Sequence, residues 1–182
     1  TELPAITQAL TITGPGARDL TITGSNARRI MSSNAPLTIS GLRLANGFTD
    51  RGGGILYNST SGPLNVSDCH FDQHLATGDG GAIFMNAGSA TIQRCTFTTD
   101  QAAGNGGVIF KCGYIEVGNN APGDLRLLNS TVTGNTPFAG GAGGSVTNGK
   151  SSGATPAPPT MKTLPAFGSR PNSRGSSLFS NR

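Results

Sequence analysis

The chain has 182 residues, of which 12% are charged and 5% are aromatic, and it contains 28 glycines and 11 prolines. So few large apolar side chains argue against a conventional layered core, and no segment keeps the apolar spacing of an amphipathic helix. The net charge of +4 is concentrated at one end, because residues 149–182 hold five of the 13 basic residues and no acid. That leaves eight basic against nine acidic residues in 1–148, a balance that predicts no nucleic-acid partner.

The first residues, TELPAITQAL, are strand-like and lack the basic and apolar regions of a signal peptide. No apolar run is long enough to cross a bilayer, so we expect no membrane-spanning segment in this chain. Such an opening fits either a cytoplasmic protein or an N-terminus that has been trimmed. The strand-like character favours trimming.

Five related segments follow one another along the chain. They begin at Leu10, Leu37, Leu64, Ala90 and Leu125, with spacings of 27, 27, 26 and 35 residues. We interpret 112–123 as an insertion that lengthens the last spacing. A repeat of about 27 residues is too long for one hairpin and is typical of one coil of a solenoid.

Within each segment, apolar residues alternate at positions 1 and 3 and again at positions 6 and 8. This pattern predicts two strands separated by a bend near positions 4 and 5, with the apolar side chains directed inward. The predicted inward residues are Ile12, Ile39, Val66, Ile92, Leu127, Leu44, Phe71, Phe97, Val132, Cys69 and Cys95.

A glycine pair followed by an apolar run recurs after these strands. The three pairs are Gly52–Gly53, Gly80–Gly81 and Gly106–Gly107, and a degenerate fourth copy starts at Gly140. We interpret the pairs as corners, since glycine reaches backbone angles that other residues avoid, and no helix follows that would make them a phosphate loop. Asn58 and Asn86 share a column in which stacked amides could hydrogen-bond from coil to coil.

These patterns predict an all-β fold. We expect a right-handed, single-stranded parallel β-helix of four to five coils over residues 1–148. Residues 149–182, rich in Pro, Ser and Gly, are expected to form a low-complexity basic tail, either disordered or out of register with the coils.

The Gly80-Gly81-Ala82-Ile83 phrase resembles the repeat of bacterial polymorphic outer membrane proteins. The opening of the chain resembles the first coil of large secreted or surface-anchored bacterial β-helix proteins. The companion F-x-x-N phrase of that repeat is degraded here, running from Phe71 to His74 and from Phe97 to Asp100. The resemblance implies a secreted or cell-surface location at the bacterial outer membrane. It also implies a structural or adhesive role without a cofactor, with glycans or host-cell proteins as partners.

The loss of register near Lys150 raises a further hypothesis, a frameshift that replaced further coils with unrelated sequence. Coil ends without a cap would leave open strand edges through which copies could associate. A self-assembling module is therefore a second alternative function.

A polysaccharide lyase or glycoside hydrolase is the first alternative, because β-helix folds also carry such enzymes. The densest group of polar side chains is Asp68, His70, Asp72 and His74, followed one coil later by Arg94 and Asp100. The spacing stacks His74 on Asp100 as a possible dyad and Asp68 on Arg94 as an ion pair. Strand ends prefer polar residues in any case, so Asp72, His74 and Asp100 are only weak catalytic candidates.

The remaining polar patterns predict no site. Two histidines and three cysteines form neither a metal-binding spacing nor a disulfide framework, although an inter-coil Cys69–Cys95 bond is left open. Four Thr-x-Thr pairs, at 11/13, 21/23, 96/98 and 131/133, are expected not to share columns on successive coils, which excludes a regular threonine face.

Overall fold

A computed structural model describes residues 3–112, 125–137 and 146–149; for 136–137 and 146–149 only the backbone is considered. The described residues form 19 short strands, β1 to β19 in chain order, and no helix. All strand pairs are parallel, and each strand pairs with its counterpart one coil away. The predicted all-β solenoid is confirmed, with about four turns. Its right-handed sense stays a prediction.

Four sheets run along the solenoid. Sheet 1 consists of β1 (Leu10–Thr13), β4 (Leu37–Ser40), β8 (Leu64–Ser67), β12 (Ala90–Gln93) and β16 (Leu125–Leu128). Sheet 2 consists of β2 (Thr21–Thr23), β5 (Arg43–Ala45), β9 (His70–Asp72), β13 (Thr96–Thr98) and β17 (Thr131–Thr133).

The other two sheets complete each coil. Sheet 3 consists of the two-residue strands β6 (Phe48–Thr49), β10 (Leu75–Ala76), β14 (Gln101–Ala102) and β18 (Thr136–Pro137), which the repeat analysis did not predict. Sheet 4 consists of β3 (Met31–Ser33), β7 (Ile55–Tyr57), β11 (Ile83–Met85), β15 (Ile109–Cys112) and β19 (Val146–Gly149).

The register of sheet 1 is the predicted one. Leu10 pairs with Leu37, Leu37 with Leu64, Leu64 with Ala90, and Ala90 with Leu125. The extra length before Leu125 therefore lies between β15 and β16, and residues 113–124 of that segment are outside the described residues. The tail expected from 149 onward and the frameshift hypothesis likewise concern residues outside the description, apart from Gly149 at the end of β19.

The first coil has a longer link between sheets 1 and 2 than the coils that follow. Seven residues (14–20) separate β1 from β2, against two (41–42) between β4 and β5, and Ile22 pairs with Leu44. The apolar spacing alone does not reveal this insertion. In the last coil Val146 pairs with Ile109, and the degenerate glycine phrase that starts at Gly140 lies outside the described residues up to position 145.

Corners recur at three points of each coil as left-handed backbone. The first corner lies at the predicted bend between sheets 1 and 2, and its residues with positive φ are Gly41, Asp68, Arg94 and Asn129. The second corner follows sheet 2, and its residues are Asn46, Gln73, Thr99 and Gly134. The third is the first glycine of each pair, Gly52, Gly80 and Gly106, with φ between 61° and 69°.

The second glycine of each pair has a different requirement, which is space. A Cβ on Gly81 would lie 2.1 Å from the carbonyl oxygen of Gly107 on the next coil, and one on Gly53 would lie 2.7 Å from that of Gly81. Successive coils therefore approach one another there more closely than any side chain permits.

The core is a column of apolar side chains inside the coils. Ile39, Val66 and Ile92 are at most 1% exposed, and the rings of Phe71 and Phe97 stack with centroids 4.8 Å apart. The predicted inward residues of the outer coils, Ile12, Leu127 and Val132, are partly buried against this cluster. A second cluster lies on the other side of sheet 4, where Phe84 and Phe110 stack at 5.5 Å beside Leu56 and Cys112.

Candidate functional site

The structure divides the polar group around residues 68–74 into two sets. Phe71 points into the core, so its neighbours His70 and Asp72 on β9 point outward. In a continuing strand His74 would also point outward. Gln73 has a φ of +57°, however, and this corner turns His74 into the solenoid, where its side chain is fully buried.

His74 and Asp100 are brought together inside the solenoid, as the spacing suggested. His74 Nδ1 lies 2.7 Å from Asp100 Oδ1, and the same oxygen accepts the backbone N–H of His74 at 3.0 Å. One coil later, Asn135 Oδ1 accepts the backbone N–H of Asp100 at 2.7 Å, and Asn135 Nδ2 donates to the carbonyl of Phe97 at 3.1 Å. The three residues form a polar ladder along the corner, hereafter the buried ladder.

The His74–Asp100 pair of this ladder has no opening to solvent. Both side chains of the His74–Asp100 pair are 0% exposed, and His74 Nε2 and Asp100 Oδ2 have no hydrogen-bond partner. The imidazole occupies space left by glycines: a Cβ on Gly54 would lie 3.0 Å from His74 Nε2, and one on Gly47 would lie 2.8 Å from His74 Cδ2. A substrate cannot reach this pair without opening the coil, so the geometry is that of an internal structural element.

Burial also controls the charge of Asp100. Removal from solvent raises the pKa of this carboxyl, and the hydrogen bonds and charge of His74 offset the effect only in part. A nearby Asp72 carboxylate adds a smaller effect in the same direction as burial. The ladder therefore favours the protonated form of Asp100 more than water does.

Asp72 belongs to the outward set, in a hydrogen-bonded chain that crosses three coils. Arg43 Nη2 donates to Asp72 Oδ2 in a short contact, Thr98 Oγ1 donates to Asp72 Oδ1 at 2.8 Å, and His70 Nε2 lies 2.8 Å from Thr98 Oγ1. Because the single hydroxyl proton of Thr98 goes to Asp72, His70 must be the donor to Thr98, which assigns the Nε2–H form. We call these four residues the outward chain.

The outward chain holds Asp72 as a carboxylate. Burial alone would raise the pKa of Asp72, but the hydrogen bonds from Arg43 and Thr98 and the Arg43 charge outweigh it and lower the pKa. The Asp72 side chain is 9% exposed, while that of Arg43 is 39% exposed. The carboxylate is thus an internal anchor, and the basic side chain remains accessible.

Sequence reasoning singled out Asp72 and noted His70 but missed Arg43 and Thr98. The signal was present in the columns: Arg43 pairs with His70, Asp72 pairs with Thr98, and both columns alternate with the inward Leu44, Phe71 and Phe97. The two outward columns of β5, β9 and β13 therefore contain all four residues.

The same columns correct the expectation about threonines. The pairs at 96/98 and 131/133 do share columns on successive coils, since Thr96 pairs with Thr131 and Thr98 with Thr133. Thr21 and Thr23 pair with Arg43 and Ala45 in the same two columns. We call this surface of sheet 2 the threonine face. Arg43, Ala45, His70 and Asp72 interrupt it at its centre.

The other singled-out residues lie apart from these two sets. Asp68 and Arg94 form a two-pronged ion pair at 2.7 and 2.8 Å on an exposed corner, and the hydrogen bond from Arg94 lowers the pKa of Asp68. Asn58 Nδ2 donates to Asn34 Oδ1 at 3.3 Å, so the amide contact of this column involves Asn34 and not the expected Asn86.

Cys69 and Cys95 are buried free thiols in adjacent coils. Their side chains contact each other, and this contact together with burial raises the pKa of the Cys95 thiol. Within the described residues, no three His, Cys, Asp or Glu side chains are grouped as a metal site would require. The described part of the chain also includes no helix of the length and apolar character needed to cross a bilayer.

Comparisons with protein-family models, with curated proteins and with solved structures found no match to this chain.

Proposed function

We propose that this chain is a non-catalytic structural or adhesive β-solenoid segment of a secreted or cell-surface bacterial protein, and that it binds glycans or host-cell proteins. The observation that carries the proposal is the complete burial of the His74–Asp100 pair. The only acid–base dyad that the sequence suggested holds two coils together and has no access to a substrate.

The accessible polar groups support the same proposal. Hydroxyl and basic side chains repeat on the outward columns of sheet 2, about 4.8 Å apart along the solenoid. Such a surface suits repeated, individually weak contacts with an extended partner. The bacterial surface location rests on the resemblance of the glycine phrase to outer membrane protein repeats.

A panel of polysaccharides tests the proposal in two ways. Binding is measured by affinity electrophoresis, and release of reducing ends or unsaturated products is measured on the same polymers. We expect retention on at least one polymer and no product from any. Product release that is abolished by a substitution in the outward chain would overturn the non-catalytic role.

Product release of that kind would favour a carbohydrate-active enzyme, either a polysaccharide lyase or a glycoside hydrolase. One observation makes it the competing candidate: His70 is held by Thr98 in a defined tautomer, with the Asp72 carboxylate behind it. A histidine oriented in this way has the arrangement of a general base. A loss of turnover in His70→Gln with unchanged binding would identify it.

Self-assembly has its own supporting observation. On the first coil, Leu10 and Leu20 are 42% and 44% exposed, whereas their equivalents on the next coil, Leu37 and Leu42, are each 1% exposed. A second copy stacked on this coil would bury them. Light scattering that rises with protein concentration, and falls back in Leu10→Ser, would support association.

A further inference from the structure

The outward chain leaves hydrogen-bond donors unused and acceptors consumed. Both oxygens of Asp72 are occupied, one by Arg43 and one by Thr98. Arg43 has five N–H groups: Asp72 takes one on Nη2, and the Nε–H is buried without a partner. The terminal nitrogens of the guanidinium therefore keep spare donors and a positive charge on a side chain that is 39% exposed, while the neighbouring Asp72 side chain is only 9% exposed.

The neighbours extend this donor set into a line. Arg43 pairs with Thr21 on one side and with His70 on the other, and His70 pairs in turn with Thr96. Thr96 then pairs with Thr131. The result is a column of residues that carry a hydroxyl, a guanidinium, an imidazole and two hydroxyl groups, with their backbones stacked about 4.8 Å apart along the solenoid.

The chemistry of the row selects its partner. A protein partner would need apolar anchors, and the row offers none. A nucleic acid would need several basic side chains side by side, whereas Arg43 is the one Arg or Lys among the five residues of this row. A linear polymer with hydroxyl groups along its length and carboxylates within reach of Arg43 satisfies the whole row.

We propose that the threonine face binds an anionic, carboxylate-bearing polysaccharide that lies along the solenoid axis. One carboxylate of the polysaccharide contacts Arg43, and hydroxyl groups of its sugar rings contact the His70 and Thr96 side chains. This inference rests on the proposed glycan-binding function and specifies its ligand class. An Arg guanidinium is well suited to the carboxylate because it can donate two parallel hydrogen bonds to it.

Titration calorimetry tests the ligand class with a galacturonate hexamer and its fully methyl-esterified, neutral counterpart. We expect binding of the charged hexamer only, with an affinity that falls as salt is raised from low to physiological concentration. Equal binding of the neutral hexamer, or no binding of the charged one, overturns the inference. If another, neutral polymer of the panel is still retained, the proposed adhesive function stands while its ligand class is wrong.

Substitutions locate the site. Arg43→Gln is expected to weaken binding of the charged hexamer roughly tenfold or more. The double variant Arg43→Gln with Asp72→Asn removes both charges of the pair and so avoids a buried unpaired carboxylate. It should show the same loss of binding, with a melting temperature no lower than that of Asp72→Asn alone. Arg94→Gln, at the exposed corner, is the matched control and should bind like the parent. Unchanged affinity in the double variant would overturn the site.

Discussion

Replacing Asp100 by Asn should stabilise the protein at neutral pH. Asp100 Oδ2 is buried without a partner, and burial raises the pKa of the carboxyl, so its charged form is unfavourable in the coil. At the equivalent position one coil later, Asn135 accepts the preceding backbone N–H with Oδ1 and donates with Nδ2 to the Phe97 carbonyl. An Asn at position 100 can keep both hydrogen bonds of Oδ1 with His74. Its Nδ2 can also donate to the backbone carbonyl of Phe71, the counterpart of Phe97 on the preceding coil.

The magnitude follows from the cost of the group that is removed. An unsatisfied buried polar group costs about 1–3 kcal/mol, and we expect a gain of that size in the free energy of unfolding of Asp100→Asn at pH 7. The gain depends on pH in a defined direction. Since the folded pKa of Asp100 lies above its unfolded value of 3.8, the parent loses stability as pH rises from 3.8 through the folded pKa. Asp100→Asn does not lose stability in this pH range, so the difference in the free energy of unfolding between variant and parent shrinks at low pH.

Urea unfolding at pH 3.5 and pH 7, followed by circular dichroism, measures both quantities. Asn135→Asp is the matched control, because it places a carboxylate at the equivalent rung and removes the donor to Phe97; it should destabilise the protein at pH 7. If Asp100→Asn is less stable than the parent at pH 7 by 1 kcal/mol or more, roughly the value of one hydrogen bond, then a charged His74–Asp100 ion pair stabilises the coil and the argument from burial is refuted.

Other substitutions test the corners, the core and the outward chain. Gly54→Ala should lower the free energy of unfolding by about 1–3 kcal/mol, since the added Cβ would lie 2.8 Å from the Ala82 carbonyl oxygen and 3.0 Å from His74 Nε2. A melting temperature equal to the parent's would show that the His74 imidazole can move aside. Thr99→Asn should raise stability in urea by roughly 1 kcal/mol, because a β-branched residue at a φ of +59° is strained and Asn tolerates that angle; no gain would contradict the corner geometry. Phe97→Ala should cost about 3–5 kcal/mol in the same assay, and a cost below that of a surface substitution would contradict the stacked core. The pKa of Asp72 is lowered in the folded protein, so this carboxylate stabilises the fold at pH values above its unfolded pKa of 3.8, and that stability is lost as pH falls through the folded pKa. Asp72→Asn should therefore show no such loss of stability in acid. An acid-unfolding midpoint equal to the parent's would argue against the Arg43 contact.

The repeat period by itself determined the solenoid and the register of sheet 1. Each segment must place its apolar residues beside those of the next coil, and a one-residue slip would turn them to solvent, so Leu10, Leu37, Leu64 and Ala90 admit one alignment. The same logic predicted the contacts of His74 with Asp100 and of Asp68 with Arg94, because both pairs are separated by one period.

Tertiary structure alone decided which of these polar residues can meet a ligand. In a strand, residues two apart share a face, so Asp72 and His74 have the same pattern in the sequence. The left-handed corner at Gln73 breaks that alternation and sends Asp72 outward to Arg43 and His74 inward to Asp100. A corner depends on contacts between coils and leaves no clear mark on a single residue, since Asn, Gln, Thr and Gly all occupy this one in successive coils. The buried ladder and the outward chain are therefore adjacent in sequence, and the corner at Gln73 places them on opposite sides of the backbone.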